Sequence, residues 1–289
     1  MVLSNLSTRA SYFSRLAREV GYWQFMYRYL LRGLYKITKT SQVMTLSNKI
    51  KMILPHDSRF GTEVFLKRNK LDWGSETILT QFLDSEKSFI DVGANIGYYS
   101  LLAAPESYQV YSFEPDPRVV TCLEKNIAQF QNCHIFREAL YAETGTMELN
   151  LDSLPELNSL VRDSTQGNTI LVNVNTLDNL MTEYPSLSVS CIKTDAEGAD
   201  FEILVGGKNL LIRDQPLVLS EAYPNLKLLE FIRSIGFTCF GFVKPKDTNL
   251  SHLEPQFIRI EAVPVNYRLK MIFLVPDRLL SEFDKLAGA

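Results

Sequence analysis

Cysteine, histidine and long apolar runs are all scarce in this chain of 289 residues. The four cysteines (Cys122, Cys133, Cys191 and Cys239) are widely scattered, and no two share C-x-x-C spacing. That argues against a zinc site or a disulfide framework, and small buried thiols in a reducing compartment are expected instead. No apolar stretch approaches ~20 residues, the length a transmembrane helix needs. The N-terminal residues show no compact apolar segment of the secretory kind, so a cytoplasmic location is the expectation. Neither sign of charge dominates: the formal net charge is −3, which gives no general argument for a nucleic-acid partner. Internal repeats and low-complexity tracts are missing too, while the apolar content is ordinary for a globular protein. Of the three histidines, His134 begins an apolar strand and reads as structural. His56 and His252 lie in loop-like contexts, and neither His252 nor nearby Glu254 is placed in a cleft by any pattern.

Also missing is G-x-G-x-x-G, the dinucleotide fingerprint. In its place stands Ser88-Phe-Ile-Asp-Val-Gly-Ala-Asn-Ile-Gly97, an apolar run ending at Asp91 and followed by Gly93-x-Asn95-x-Gly97. The order is buried strand, tight turn and helix start, with glycines that permit positive φ and close approach of a ligand to the backbone. The alternating small residues look like the S-adenosylmethionine (SAM) loop of class I methyltransferases. A second apolar run, Val110-Tyr-Ser-Phe, ends at Glu114-Pro115, with Glu114 21 positions beyond Gly93. A carboxylate there can accept hydrogen bonds from both hydroxyls of a ribose. The competing reading is that Glu114 only caps the helix that Pro117 opens.

Several ordered elements extend the pattern. Glu138-Ala-Leu140 follows a third apolar strand, and Val174-Asn-Thr-Leu-Asp178 comes later. Ile192-Lys-Thr-Asp-Ala-Glu-Gly198, Ile203-Leu-Val-Gly-Gly207, Val218-Leu-Ser-Glu221 and Met271-Ile-Phe-Leu-Val-Pro276 complete the series. Over roughly residues 60–276 the chain resembles the FkbM-type SAM-dependent methyltransferases. The most specific element is the Lys-x-Asp-x-Glu-Gly segment at 193–198. The resemblance implies an α/β, Rossmann-like class I methyltransferase fold: a mainly parallel seven-stranded sheet with helices on both faces and an antiparallel edge hairpin. It also implies O-methylation of a hydroxyl on a sugar, glycan or secondary metabolite. An NAD-linked oxidoreductase and a degenerate binding protein of the same architecture are the alternatives. Against the second, Asp91, Gly93, Asn95, Gly97 and Glu114 are all present.

Methyl transfer from a sulfonium is an in-line displacement, and a hydroxyl acceptor needs somewhere to put its proton. Reactive groups should gather at the carboxyl ends of parallel strands. Asp195 and Glu197 lie just past one such end and Glu221 at the next. Asp195 is the first choice for base or acceptor-orienting group and for a cofactor contact, with Lys193 pairing these acids or bonding the substrate. A purely structural ion pair is the alternative. The three acids could also gather a divalent cation such as magnesium, although no ligand set is evident. Glu138 is the candidate for the adenine amino group, and Asn158 and Ser159 are weaker candidates for contacts with acceptor or SAM.

Alternating strands and helices from 88 to 235 imply a mainly parallel sheet. A β excursion is expected between Ala139 and Leu151, a loop over 154–168, and a hairpin from strands near 238–243 and 270–275. We expect two parts: a helical N-terminal extension over 1–60 and a methyltransferase domain over 61–289, with helical character dominating 7–50. Residues 1–40 carry seven basic side chains and one acidic, a net +6 against −9 for the remainder. Arg28, Arg32 and Lys36 are spaced by four and share one helical face, with Tyr27, Leu30, Leu31, Leu34 and Ile37 towards the other. Two readings follow: a basic face on acidic lipid headgroups, or a helix packed on the domain or a second subunit with its basic face in water.

Overall fold

Ser88–Val92 (β3) and Val189–Thr194 (β9) are buried at every position, as strands covered on both faces must be. Side-chain alternation divides what they bury: Phe89, Leu217 and Leu219 join one apolar cluster, while Ile90, Ile192 and Val218 join a second on the opposite face. The computed structural model describes residues 13–14, 16–151, 158–161, 168–246, 253–262 and 264–288. His252 and most of the expected 154–168 loop lie outside them.

The central sheet runs in the order β5 (Cys133–Phe136), β4 (Val110–Phe113), β3, β9, β10 (Leu217–Ser220), β14 (Ile272–Pro276), β11 (Phe237–Pro245). Neighbours from β5 to β10 pair in parallel, and β14 lies antiparallel to both β10 and β11. These seven strands form a Rossmann-like α/β sheet with the expected antiparallel pair. β12 (Gln256–Arg259) continues the sheet beyond β11, and short β13 (Tyr267–Arg268) pairs with the end of β11. The β excursion is a separate three-stranded sheet, β6 (Ala139–Leu140), β8 (Thr169–Asn175), β7 (Gly145–Asn150).

The N-terminal region departs from the helical character expected over 7–50. Helix α1 (Tyr22–Thr38) stops where Lys39 takes a left-handed conformation. A β-hairpin follows, β1 (Gln42–Thr45) paired with β2 (Lys51–Leu54). Met44, Leu46, Met52 and Leu54 enter the same apolar cluster as Phe89 and Leu219, so tertiary burial overrides local helical propensity here. Helix α2 (Arg59–Lys67), capped by Ser58, then crosses to the mouth of the sheet. Arg28 and Arg32 of the basic row on α1 are turned inward, against both readings of it, while Lys36 is exposed. Arg32 is buried and donates to the carbonyls of Leu54, Pro55 and Ser58 and to Thr62 Oγ1. Arg28 donates to the Leu66 carbonyl at 2.6 Å. Main-chain carbonyls in the 54–58 turn and in the last turn of α2 draw these guanidinium groups inward.

Candidate active site

The loop after β3 is built around close backbone contact. Gly93, Asn95 and Gly97 all have positive φ (69°, 51° and 89°). A Cβ on Gly93 would stand 2.0 Å from the Asp195 carbonyl oxygen, so only glycine lets the β3 and β9 loops touch. Gly97 packs instead against Leu123, where a Cβ would come within 2.8 Å of Cδ1. The loop is pinned to the neighbouring strand: Gly93 N and Ala94 N both donate to the Phe113 carbonyl at 3.0 Å.

Glu114 closes this turn from the end of β4. One carboxylate oxygen accepts from Asn95 N at 2.8 Å and the other from Asp116 N at 2.9 Å. Burial raises its pKa to about 7, although the two N–H groups oppose the shift. Each oxygen keeps one further lone pair for a hydroxyl donor. Asp116, not Glu114, caps the next helix α4 (Pro117–Ile127), accepting from Arg118 N, which removes the reading that Glu114 is there as a cap.

Across the loop stands a buried ionic cluster. Lys193 is 3% exposed and pairs in register with Asp91 across β3 and β9. Its Nζ donates to the Val92 and Gly93 carbonyls at 3.2 and 2.8 Å and lies 3.5 Å from Asp91 and 3.7 Å from Asp195. Burial works against its charge, but Asp195, Asp91 and Asp200 together hold its pKa above the ordinary value. Asp91 is fully buried and accepts from Ser100 Oγ at 2.6 Å. It therefore faces the cluster rather than the cleft. Asp195, Glu197 and Glu221 present oxygens within 4.8 Å of one another. Glu221 is open to the cleft on one side and crowded by protein on the others. That crowding, then the Asp195 charge and a hydrogen bond shared with it, put its carboxyl well above the usual range.

A cavity of about 450 Å³ joins these parts. Its walls bring together Gly93, Asn95, Glu114, Glu138, Asn158, Lys193, Asp195, Glu197 and Glu221. Glu138 accepts from Asn175 Nδ2 at 3.2 Å. Asn158 bridges Asp116 and Arg118, and Ser159, itself buried, donates to the Glu197 carbonyl at 2.9 Å. Ser159 thus fastens the acid-bearing loop from behind. His134 is exposed and bonds Gln109, and His56 lies 3.9 Å from Asp57. Glu254 pairs with Lys70 at 3.9 Å. None of these three lines the cavity.

The far end of the cavity was not anticipated. It is lined by Arg59, Phe60, Glu63 and Lys67 of α2, by Asp72, Tyr98 and Tyr99, and by Lys270. Tyr99 donates to Asp72 at 2.6 Å, Asp72 is 3.4 Å from Lys270, and Glu63 is 3.1 Å from Lys67. The adjacent Tyr98-Tyr99 pair behind the glycine loop was the available signal. Asp72 and Lys270 are too far apart in sequence to suggest each other.

Strand order, glycine loop and strand-end acids together define a class I SAM-dependent methyltransferase fold. The sequence profile described as methyltransferase FkbM domain matches residues 91–239, more than half the chain, and the chain belongs to that family. Among solved structures it is similar to a methyltransferase FkbM from Methylobacillus flagellatus KT, at 12% identity and a TM-score of 0.43. That match covers 75% of this chain and 55% of the other, so the chain spans little more than half the length of that protein. A SAM-dependent methyltransferase from Agrobacterium tumefaciens is similar at 10% identity and a TM-score of 0.44, covering 82% and 70%. An rRNA methylase from Streptococcus thermophilus is similar at 11% and 0.39, covering 70% and 93%. No curated protein matches the chain.

Proposed function

We propose that the protein is a SAM-dependent O-methyltransferase acting on a hydroxyl of a small molecule, sugar or glycan. The observation that carries this reading is the contact between Gly93 and the Asp195 carbonyl. It supports the reading because it brings the glycine turn and the cluster of acids to the two sides of one point. SAM supplies an electrophilic methyl group on a sulfonium, and its adenosylhomocysteine product leaves as a neutral thioether. Glu114 accepts from the ribose hydroxyls and Glu138 from the adenine amino group. The Gly93–Asn95 backbone holds the amino-acid end. Asp195 orients the acceptor and takes its proton as the new C–O bond forms, while Lys193, kept charged, positions it.

The three clustered acids also fit a hard cation by donor type. Part of their charge, however, is already offset by Lys193, 3.7 Å from Asp195. We therefore assign the cluster to proton handling, and activity should survive exhaustive chelation. The direct test is Asp195→Asn in a radiolabelled-methyl assay over hydroxyl acceptors. Turnover should fall roughly 10²–10⁴-fold, the usual contribution of a general base, with SAM affinity retained. Unchanged turnover would remove Asp195 from this role.

A further inference from the structure

The face of α1 turned away from the protein is apolar along its whole length. Trp23, Tyr27, Leu30, Leu34 and Ile37 are 82%, 68%, 66%, 56% and 81% exposed. Their spacing of four, three, four and three residues forms one stripe. Opposite it lie Phe25, Arg28 and Arg32, and the last two are tied to carbonyls at 54, 55, 58 and 66. The helix cannot roll to hide the stripe without breaking those bonds. Isolated exposed apolar residues are ordinary, but a contiguous stripe of this kind marks a surface that meets something apolar.

Charge indicates what that is. Between Glu19 and Asp57 the chain has no acidic residue in 37 positions, yet it has Arg28, Arg32, Lys36, Lys39, Lys49 and Lys51. The two arginines are used internally and Lys36 shares their face, whereas Lys39, Lys49 and Lys51, beyond the end of the helix, are exposed. From this we infer that α1 docks in the interfacial zone of a lipid bilayer bearing anionic headgroups, with the Trp23–Ile37 stripe immersed and Lys39, next to the end of the stripe, against the headgroups. The stripe itself carries no charge, which disfavours a nucleic-acid backbone as its partner. Among the described residues no helix is long and apolar enough to cross a membrane, so α1 lies on the surface. It packs on α2, whose Arg59, Phe60, Glu63 and Lys67 line the cavity. One helix therefore separates the docked face from the far end of the cleft. This inference does not depend on the methyl-transfer reading.

The test is co-sedimentation of the full chain with vesicles of phosphatidylcholine alone and of equal parts phosphatidylcholine and phosphatidylglycerol. The expected result is binding to the anionic vesicles, with a blue shift in tryptophan emission that Trp23→Ser abolishes. Combined Trp23→Ser, Leu30→Ser and Ile37→Ser substitution should weaken binding roughly tenfold or more, given the apolar surface lost. Its melting temperature should stay unchanged. Lys39→Glu should weaken binding independently. Failure of the wild type to bind anionic vesicles would overturn the inference. So would a solution dimer that the serine variant dissolves, or RNA binding that depends on the same stripe.

Discussion

At the scale of single residues, burial decides what the carboxyl groups can do. Glu114 and Glu76 are both raised to about 7, each chiefly by desolvation. Glu76 accepts from Gly74 N at 3.1 Å and is raised further by Asp72. The sign of the linkage follows. A carboxyl whose folded pKa is raised from 4.5 to about 7 favours the folded state while protonated, below the unfolded value. That contribution is lost as pH rises through the window to about 7. Glu76→Gln does not titrate, so the melting temperature of the wild type relative to this variant should decline between about pH 4.5 and 7. A difference that stays flat over that window would mean that Glu76 ionises normally.

At the scale of elements, two contacts set the geometry. Gly93→Ala places a methyl group where the Asp195 carbonyl stands. Because both sides are backbone, the β3 and β9 loops must part, at a cost of roughly 2 kcal/mol or more, and SAM binding should be lost with them. Gly97→Ala meets only the end of Leu123. It should cost about 1 kcal/mol through its positive φ and leave much of the donor affinity. Urea unfolding and SAM titration of the pair would separate these cases. The second contact is between α1 and α2. Arg32→Ala takes the guanidinium donor from the buried Leu54 carbonyl, and a loss of roughly 2 kcal/mol is expected in urea unfolding. Trp23→Ser, on the opposite face, should change stability by less than about 0.5 kcal/mol.

At the scale of the whole molecule, sequence revealed the sheet far better than what surrounds it. Buried parallel strands are nearly continuous apolar runs, so Ser88–Val92, Val110–Phe113, Val189–Thr194 and Leu217–Ser220 announce themselves, and Glu114, Asp195 and Glu221, which follow the last three, fall in the cleft by topology. Periodicity also found the two faces of α1, but it has no sign. A row of arginines and a row of aromatics are equally periodic, and which one faces inward depends on carbonyls at 54–66 that the pattern does not show. The hairpin at 42–54 was missed because its alternation is too short to outweigh the helix preceding it. Asp72, Lys67 and Lys270 were hidden for a related reason: their association exists only after β14 inserts between β10 and β11.

The account as a whole rests on Glu114 and the loop it pins. Calorimetric titration with SAM, beside NAD as control, for the wild type and Glu114→Gln tests this most directly. The wild type should bind SAM and not NAD, and the variant should bind SAM about ten- to a hundredfold more weakly, since one charged acceptor is lost. Binding of NAD instead of SAM, or a variant indistinguishable from the wild type, would contradict it.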